Sequence, residues 1–242
     1  MRDQVTFCIK TIHRPQCCAA LIQSIHKFCG DDRPLIYVLD DGRSNLRFSH
    51  VCPGEAALVD RIIETEYDIG LAAGRNRLVE AASTPMVVFT DDDHLVGPQT
   101  RLADLVQKLQ SSQLDLLAGL SKKPNRPQAD GTPRLLKSSG GELHIPLGQY
   151  RRVGDIADCA FVCNCFVAYR DVLRAIRWDE ELKVEEHWDF FWRAKIAGVK
   201  VGVALNHIFP HVHVDPPGYV RRRPQFLNAA LQKHGLRKVL WS

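Results

Sequence analysis

Apolar positions along the first half of the chain alternate between two periods. Val5–Ile9, Leu35–Leu39 and Met86–Thr90 are short β-rich runs, apolar enough to be buried on both faces of a sheet. Between them, Gln16–Phe28 spaces Ala19, Ala20, Leu21, Ile22 and Ile25 as a helix does, and Ala72–Ala82 reads as a helix introduced by glycines. Arg61–Glu66 and Leu114–Leu120 are further strand patterns, and Leu102, Leu105, Val106 and Leu109 mark one more helix face. Strand and helix in alternation predict an α/β fold with a mostly parallel, doubly wound sheet. Such sheets bind their ligands beyond the carboxyl ends of the strands.

The second half is patterned differently. Lys122–Arg134 holds Pro124, Pro127 and Pro133 among basic residues and predicts a surface loop. Leu135–Ile145, around Gly140-Gly141, predicts a hairpin, and Ala157–Tyr169 a long β-rich stretch. His187–Ala197 reads as a helix stopped by Gly198, and Lys200–Leu205 as a strand. Gln225–His234 can form a helix with Phe226, Leu227, Ala230 and Leu231 on one side. No repeat and no linker divides the chain, which predicts one compact domain with a nucleotide-binding front half and an acceptor-binding back half.

Composition narrows this little. The 242 residues are 45% hydrophobic and 25% charged, ordinary globular usage that excludes a disordered or low-complexity chain. No apolar run approaches the ~18–20 residues a membrane span needs, and no basic-then-apolar leader follows Met1. Eight cysteines occur without paired CxxC spacing. They predict free thiols in a reducing compartment, cytoplasmic or on the cytosolic face of a membrane, and give a zinc site little support.

Charge adds more. Lys+Arg is 32 and Asp+Glu 28, a net +4. Residues 216–242 contain Arg221, Arg222, Arg223, Lys233, Arg237 and Lys238 and no acid, so this segment carries all of the excess. Such a cluster calls for an anion: a diphosphate, an acidic membrane surface or nucleic acid. No RNP-type motif supports nucleic acid.

Three motifs carry candidate chemistry. Val87-Val88-Phe89-Thr90 runs into Asp91-Asp92-Asp93-His94. Adjacent carboxylates at a buried strand end repel one another, and a divalent cation relieves that repulsion. Hard oxygen ligands select Mg²⁺ or Mn²⁺, and alternation along a strand lets Asp91 and Asp93 point together. Asp40-Asp41-Gly42 follows a second strand of the same sheet and is a candidate base or ribose contact. Gly70-Leu71-Ala72-Ala73-Gly74-Arg75-Asn76 opens a helix whose N-terminus favours an anion, with Gly74 admitting a ligand and Arg75 able to fork onto phosphate. It is neither GxGxxG nor a Walker loop.

These motifs, with Lys10-Thr11, Asn164-Cys165-Phe166-Val167-Ala168 and His187–Phe191, occur in the order found in GT-A glycosyltransferases, which the chain resembles over roughly residues 3 to 213. It is most similar there to the ganglioside β-1,4-N-acetylgalactosaminyltransferases and related family-2-like enzymes. The resemblance implies a GT-A type doubly wound mixed sheet over residues 1–215, with a nucleotide-sugar half to about residue 120, an acceptor half beyond it, and a lid in 216–242. It implies metal-dependent transfer of a sugar such as Gal, GalNAc or GlcNAc from a UDP-sugar to the hydroxyl of a glycan or glycoconjugate acceptor, with inversion. Thr11, Arg14, Asp40 and Asp41 would line the uracil pocket, while Gly74, Arg75, Asp91 and Asp92 would face the ribose-diphosphate. Arg221 would contact phosphate. Asp91 and Asp93 would form the DxD pair for Mn²⁺ (or Mg²⁺), joined by a late histidine: His211 aligns best, with His207 and His213 as competitors. The general base of inverting relatives falls in Glu185–Asp189. His187 stands where an acid is usual, which leaves Glu186 and Asp189 as candidates. Trp188, Phe190, Phe191 and Trp192 would be core or an aromatic platform for the acceptor. Two rivals stand beside this reading. One is a sugar-phosphate nucleotidyltransferase; the other is an inactive sheet domain whose basic tail contacts anionic surfaces, a peripheral membrane among them.

Overall fold

The computed structural model describes residues 1–124, 131–212, 214 and 223–242. Its strands are β1 (Val5–Thr11), β2 (Leu35–Asp40), β3 (Arg61–Glu64), β4 (Met86–Asp91), β5 (Leu116–Lys122), β6 (Lys137–Ser139), β7 (Glu142–Ile145), β8 (Arg151–Val153), β9 (Ile156–Cys159), β10 (Cys165–Tyr169), β11 (Val201–Pro210) and β12 (Lys238–Trp241). Its helices are α1 (Pro15–Cys29), the single turns α2 (Phe48–Val51) and α3 (Pro53–Ala56), α4 (Leu71–Ala81), α5 (Leu102–Ser111), α6 (Arg170–Ile176), α7 (Glu186–Ile196) and α8 (Arg223–Lys233).

Nine strands form one sheet in the order β3-β2-β1-β4-β10-β5-β11-β9-β8. The first four run parallel, β10 is antiparallel to both of its neighbours, and β5 and β11 are again parallel. The sheet is therefore mixed and doubly wound, as expected. Alternation along the strands separates two cores. Phe7, Ile9 and Val88 pack with Ile22 of α1 and Leu105 of α5 on one face, while Cys8, Val87 and Phe89 pack with Leu78 of α4 and Phe190 of α7 on the other. The motif-bearing strands β1, β2 and β4 lie side by side, so Thr11, Asp40 and Asp91 come to one edge.

The stretch 157–169 is two strands, not one. β9 pairs with β11 near the far end of the sheet, whereas β10 lies between β4 and β5. The chain must cross β5 and β11 between them, and apolar residues such as Phe161 and Val162 are buried on the way without belonging to a strand. The predicted 200–205 strand runs on to Pro210, with a register shift between Val203 and Ile208. The hairpin forms as predicted: Gly140 and Gly141 both take positive φ (56° and 75°), as a tight two-residue hairpin turn requires. The tail is built into the fold. The helix expected at 225–234 is α8, and β12 pairs in parallel with β7, placing Trp241 opposite Ile145. Arg221, Arg222 and His213 lie outside the described residues.

Candidate active site

The carboxyl ends of β1 and β4, the first turns of α4 and α7, and β12 enclose a cleft of about 350 Å³. Arg14, Arg75, Asp91, Asp93, Glu186 and His211 all line it. The aspartate triplet divides its work. Asp91, the last residue of β4, accepts from Arg75 Nη2 at 3.0 Å and lies 3.4 Å from the Asn164 amide nitrogen. Asp92 turns inward and is fully buried, held by Thr11 Oγ1 at 2.6 Å and by Arg14. Burial pushes its carboxyl up to about 7, with Arg14 and Thr11 opposing the rise.

Asp93 faces two imidazoles. His94 Nδ1 lies 3.5 Å and His211 Nε2 3.4 Å from its oxygens, and Arg14 Nη1 donates at 3.0 Å. Burial alone would raise the Asp93 carboxyl; the His211 and His94 imidazoles facing it, with the Arg14 charge, overcome it and hold the group well below the usual carboxylate range. An isolated antiparallel bridge joins His94 to His211, and their rings stack at 4.2 Å. Behind them, the Ser121 hydroxyl lies 3.0 Å from His94 Nε2 and 3.2 Å from His211 Nδ1. The ligand-capable atoms of Asp93, His94 and His211 lie within 4.8 Å of one another. His94 Nδ1 is buried with no hydrogen-bond partner among the described residues. One carboxylate oxygen with imidazole nitrogens suits a Mn²⁺-like cation better than the all-oxygen shell Mg²⁺ prefers. The three residues thus fit a divalent metal, and the group contains no cysteine.

Glu186 opens α7, where the helix dipole favours an acid. Arg75 Nη1 donates to its Oε1, so one buried guanidinium joins Glu186 to Asp91. Burial raises the Glu186 carboxyl, and the Arg75 charge offsets part of that rise. Asp189 takes another direction. It is fully buried and accepts from Arg193 at 2.8 Å and from His234 of the tail at 2.6 Å. The two candidate acids are therefore split: Glu186 lines the cleft, and Asp189 anchors His234 after α8.

Other expected site residues are placed beneath the cleft. Asp40 accepts from the Gly42 and Phe48 backbone N–H groups, both at 2.7 Å, and so shapes the β2–α2 turn. Asp41 is fully buried against Lys10 Nζ at 2.5 Å. Gly74 serves packing: a Cβ there would come within 2.8 Å of Lys10 Cγ, so the glycine lets Lys10 cross the helix to reach Asp41. His207 pairs with Asp104 at 2.8 Å on α5 and takes no part in the Asp93 group. Trp188, Phe190 and Phe191 are buried core, with Trp192 packed against them. Sequence reading assigns no role to His94, Ser121, Asn164 or Trp241; two of them stand in the FTDDDH and NCFVA motifs, but apart from His94 beside Asp93 their contacts join residues distant in sequence.

The doubly wound sheet with a cleft at its strand ends, a carboxylate–imidazole group and a separate buried acid is of the glycosyltransferase type. The glycosyl transferase family 2 profile matches residues 6–177, and the chain belongs to that family. Beta-1,4 N-acetylgalactosaminyltransferase 2 of Mus musculus is 29% identical over 219 residues, covering 86% of this chain and 40% of the relative. Beta-1,4 N-acetylgalactosaminyltransferase 1 of Homo sapiens is 27% identical over 222 residues, covering 86% of this chain and 38% of the relative. The chain thus spans about 40% of the length of these relatives. Among solved structures, S. aureus TarS 1–349 in complex with UDP-GlcNAc superposes with a TM-score of 0.65 at 14% identity, over 88% of this chain and 59% of that one. A TarS 1–349 complex with UDP gives 0.62 at 15%, over 86% and 60%. At such identities the likeness is one of fold.

Proposed function

We propose that this domain transfers a sugar from a UDP-sugar to an acceptor hydroxyl with inversion, with a divalent cation at Asp93 and His211 and Glu186 as the general base. The observation that carries this reading is the single cleft that holds both groups, with Arg75 spanning from Glu186 to Asp91. The relatives' names make UDP-GalNAc the first donor to try, with UDP-GlcNAc next because TarS has been crystallised with it.

In this mechanism the acceptor O–H gives its proton to the Glu186 carboxylate as its oxygen attacks the anomeric carbon. The bond from that carbon to the diphosphate oxygen breaks with its electron pair, and UDP leaves. Asp93, His211 and His94 would hold a cation that neutralises the diphosphate charge as it develops. Arg75 orients Glu186, and Asn164 fixes Asp91 at the mouth of the same site. Arg223, on α8, lines the cleft 3.5 Å from Glu185 and supports the reading of the tail as a lid over the donor phosphates. The test is UDP release from UDP-GalNAc and UDP-GlcNAc with Mn²⁺, with chelator, and in Glu186→Gln. Metal-dependent release, lost with chelator, supports the assignment; release indifferent to both the chelator and Glu186→Gln refutes it.

A further inference from the structure

Of the two roles open to the α7 aromatics, Trp188, Phe190 and Phe191 take the core; an exposed ring enters the cleft from elsewhere. Trp241, on β12, lines the same cleft as Glu186 and His187 and is 54% exposed. It is firmly held for so open a side chain. β12 is paired along its length with β7, and Leu147 N–H donates to Ser242 O at 3.0 Å. The Arg134 guanidinium lies over the indole at 5.6 Å while its Nη1 donates to Ile145 O and Ser242 O, at 2.8 and 3.0 Å. The indole packs edge-on against Phe161 at 5.2 Å, Phe161 packs against His187 at 4.8 Å, and His187 follows Glu186 in the first turn of α7. Trp241 is thus held by β7, Arg134 and Phe161 and is still more than half exposed where it lines the cleft.

From this geometry we infer that Trp241 is the stacking platform for the acceptor sugar. The inference rests on the transferase reading of the cleft. A pyranose presents an apolar face of C–H groups and a rim of hydroxyls. A pocket that offers one rigid aromatic face beside a few convergent polar groups matches that chemistry. Position selects the acceptor over the donor base. β1 and β2 lie on one side of β4 in the sheet, whereas Phe161, on which Trp241 rests, precedes β10 on the other side. A donor lying from β2 to Asp91 leaves Trp241 beyond its sugar, on the side of Glu186.

The test uses wild type, Trp241→Phe and Trp241→Ala, with Trp241→Leu replacing the alanine variant should thermal melts show it unfolded. Saturation-transfer NMR with UDP and Mg²⁺ present would probe the methyl glycosides of galactose, glucose, N-acetylglucosamine and N-acetylgalactosamine. Calorimetry would measure UDP on the same proteins. The expected result is transfer to the ring C–H protons of at least one glycoside in wild type and Trp241→Phe, its loss in the aliphatic variant, and unchanged UDP affinity. Transfer that survives in the aliphatic variant overturns the proposal, as does its absence from wild type for all four glycosides. Weakened UDP binding in the aliphatic variant also overturns it, by placing the indole on the donor. A wild type that binds a glycoside through Trp241 but no UDP would instead sink the donor reading and leave the platform standing.

Discussion

Arg75 and Glu186, 111 residues apart, form an ion pair buried on both sides, and the same guanidinium donates to Asp91 through its other terminal nitrogen. Two elements meet through that planar fork: α4 supplies the cation, and the first turn of α7 the acid. Lysine can reach one carboxylate as a point charge but cannot bridge two in a plane. Arg75→Lys is therefore expected to keep the fold and lower kcat by roughly 10–100-fold, the usual cost of losing an orienting partner. Steady-state turnover with UDP-GalNAc or UDP-GlcNAc checks this, and an unaltered kcat would remove Arg75 from the mechanism.

The two acids of α7 should separate in experiment as they do in space. Glu186→Gln is expected to lower kcat by roughly 10²–10⁴-fold with UDP affinity retained. Asp189→Asn is expected to leave kcat close to wild type but to cost about 1–3 kcal/mol of stability, because Arg193 and His234 lose a buried anion. Denaturant melts and kinetics on the pair of variants decide it; the opposite pattern makes Asp189 the base.

Sequence spacing alone left Glu186 and Asp189 equivalent, since residues three apart share a helical face. What distinguishes them is tertiary: the tail returns across α7 and supplies His234 to Asp189. The strand ends were legible because Val87–Phe89 and Ile36–Leu39 are apolar on both faces and then stop at acids. The break within 157–169 was not legible, because residues buried in a crossover look like residues buried in a strand. Gly74 was visible as a glycine, but its reason, the Lys10 side chain lying across it, needs β1 and α4 to be in place.

Among the described residues, the Ser121 hydroxyl bonds the nitrogens of His94 and His211 that face away from Asp93. Ser121→Ala is expected to weaken Mn²⁺ binding by roughly 10–100-fold through misoriented imidazoles. Asp93→Asn should abolish it. Calorimetric Mn²⁺ titration reads both, and equal affinity in Ser121→Ala and wild type would reduce the serine to packing.

His187 adds an acid-sensitive element. Burial, reinforced by the Arg75 charge, lowers its pKa to about 4, against ~6.5 for an unperturbed imidazole. The folded state therefore holds the neutral ring, and the unfolded chain binds the proton first. The stabilising contribution is complete above pH ~6.5 and is lost progressively as the pH falls toward 4. His187→Gln, whose amide can still donate to Val162 O, should lose less thermal stability between pH 7 and pH 5 than wild type does. Equal losses would show that other groups set the acid limit.

Arg223, which lines the cleft beside Glu185, offers a test of the proposed lid. Arg223→Ala is expected to weaken UDP binding while leaving uridine binding unchanged, because uridine has no phosphate to lose. Calorimetry with both ligands reads the difference, and equal weakening of the two would move Arg223 away from the diphosphate.

The proton inventory around Ser121 has its own consequence. A serine hydroxyl owns one hydrogen and two lone pairs. If His94 and His211 each turn an N–H toward Asp93, both present bare nitrogens to Ser121, which can satisfy only one. If both instead turn bare nitrogens toward a cation beside Asp93, each aims an N–H at Ser121, and its two lone pairs accept both. The first arrangement suits the Asp93 carboxylate alone and the second a cation beside it, so through this one hydroxyl a cation bound there would switch the tautomers of both rings together.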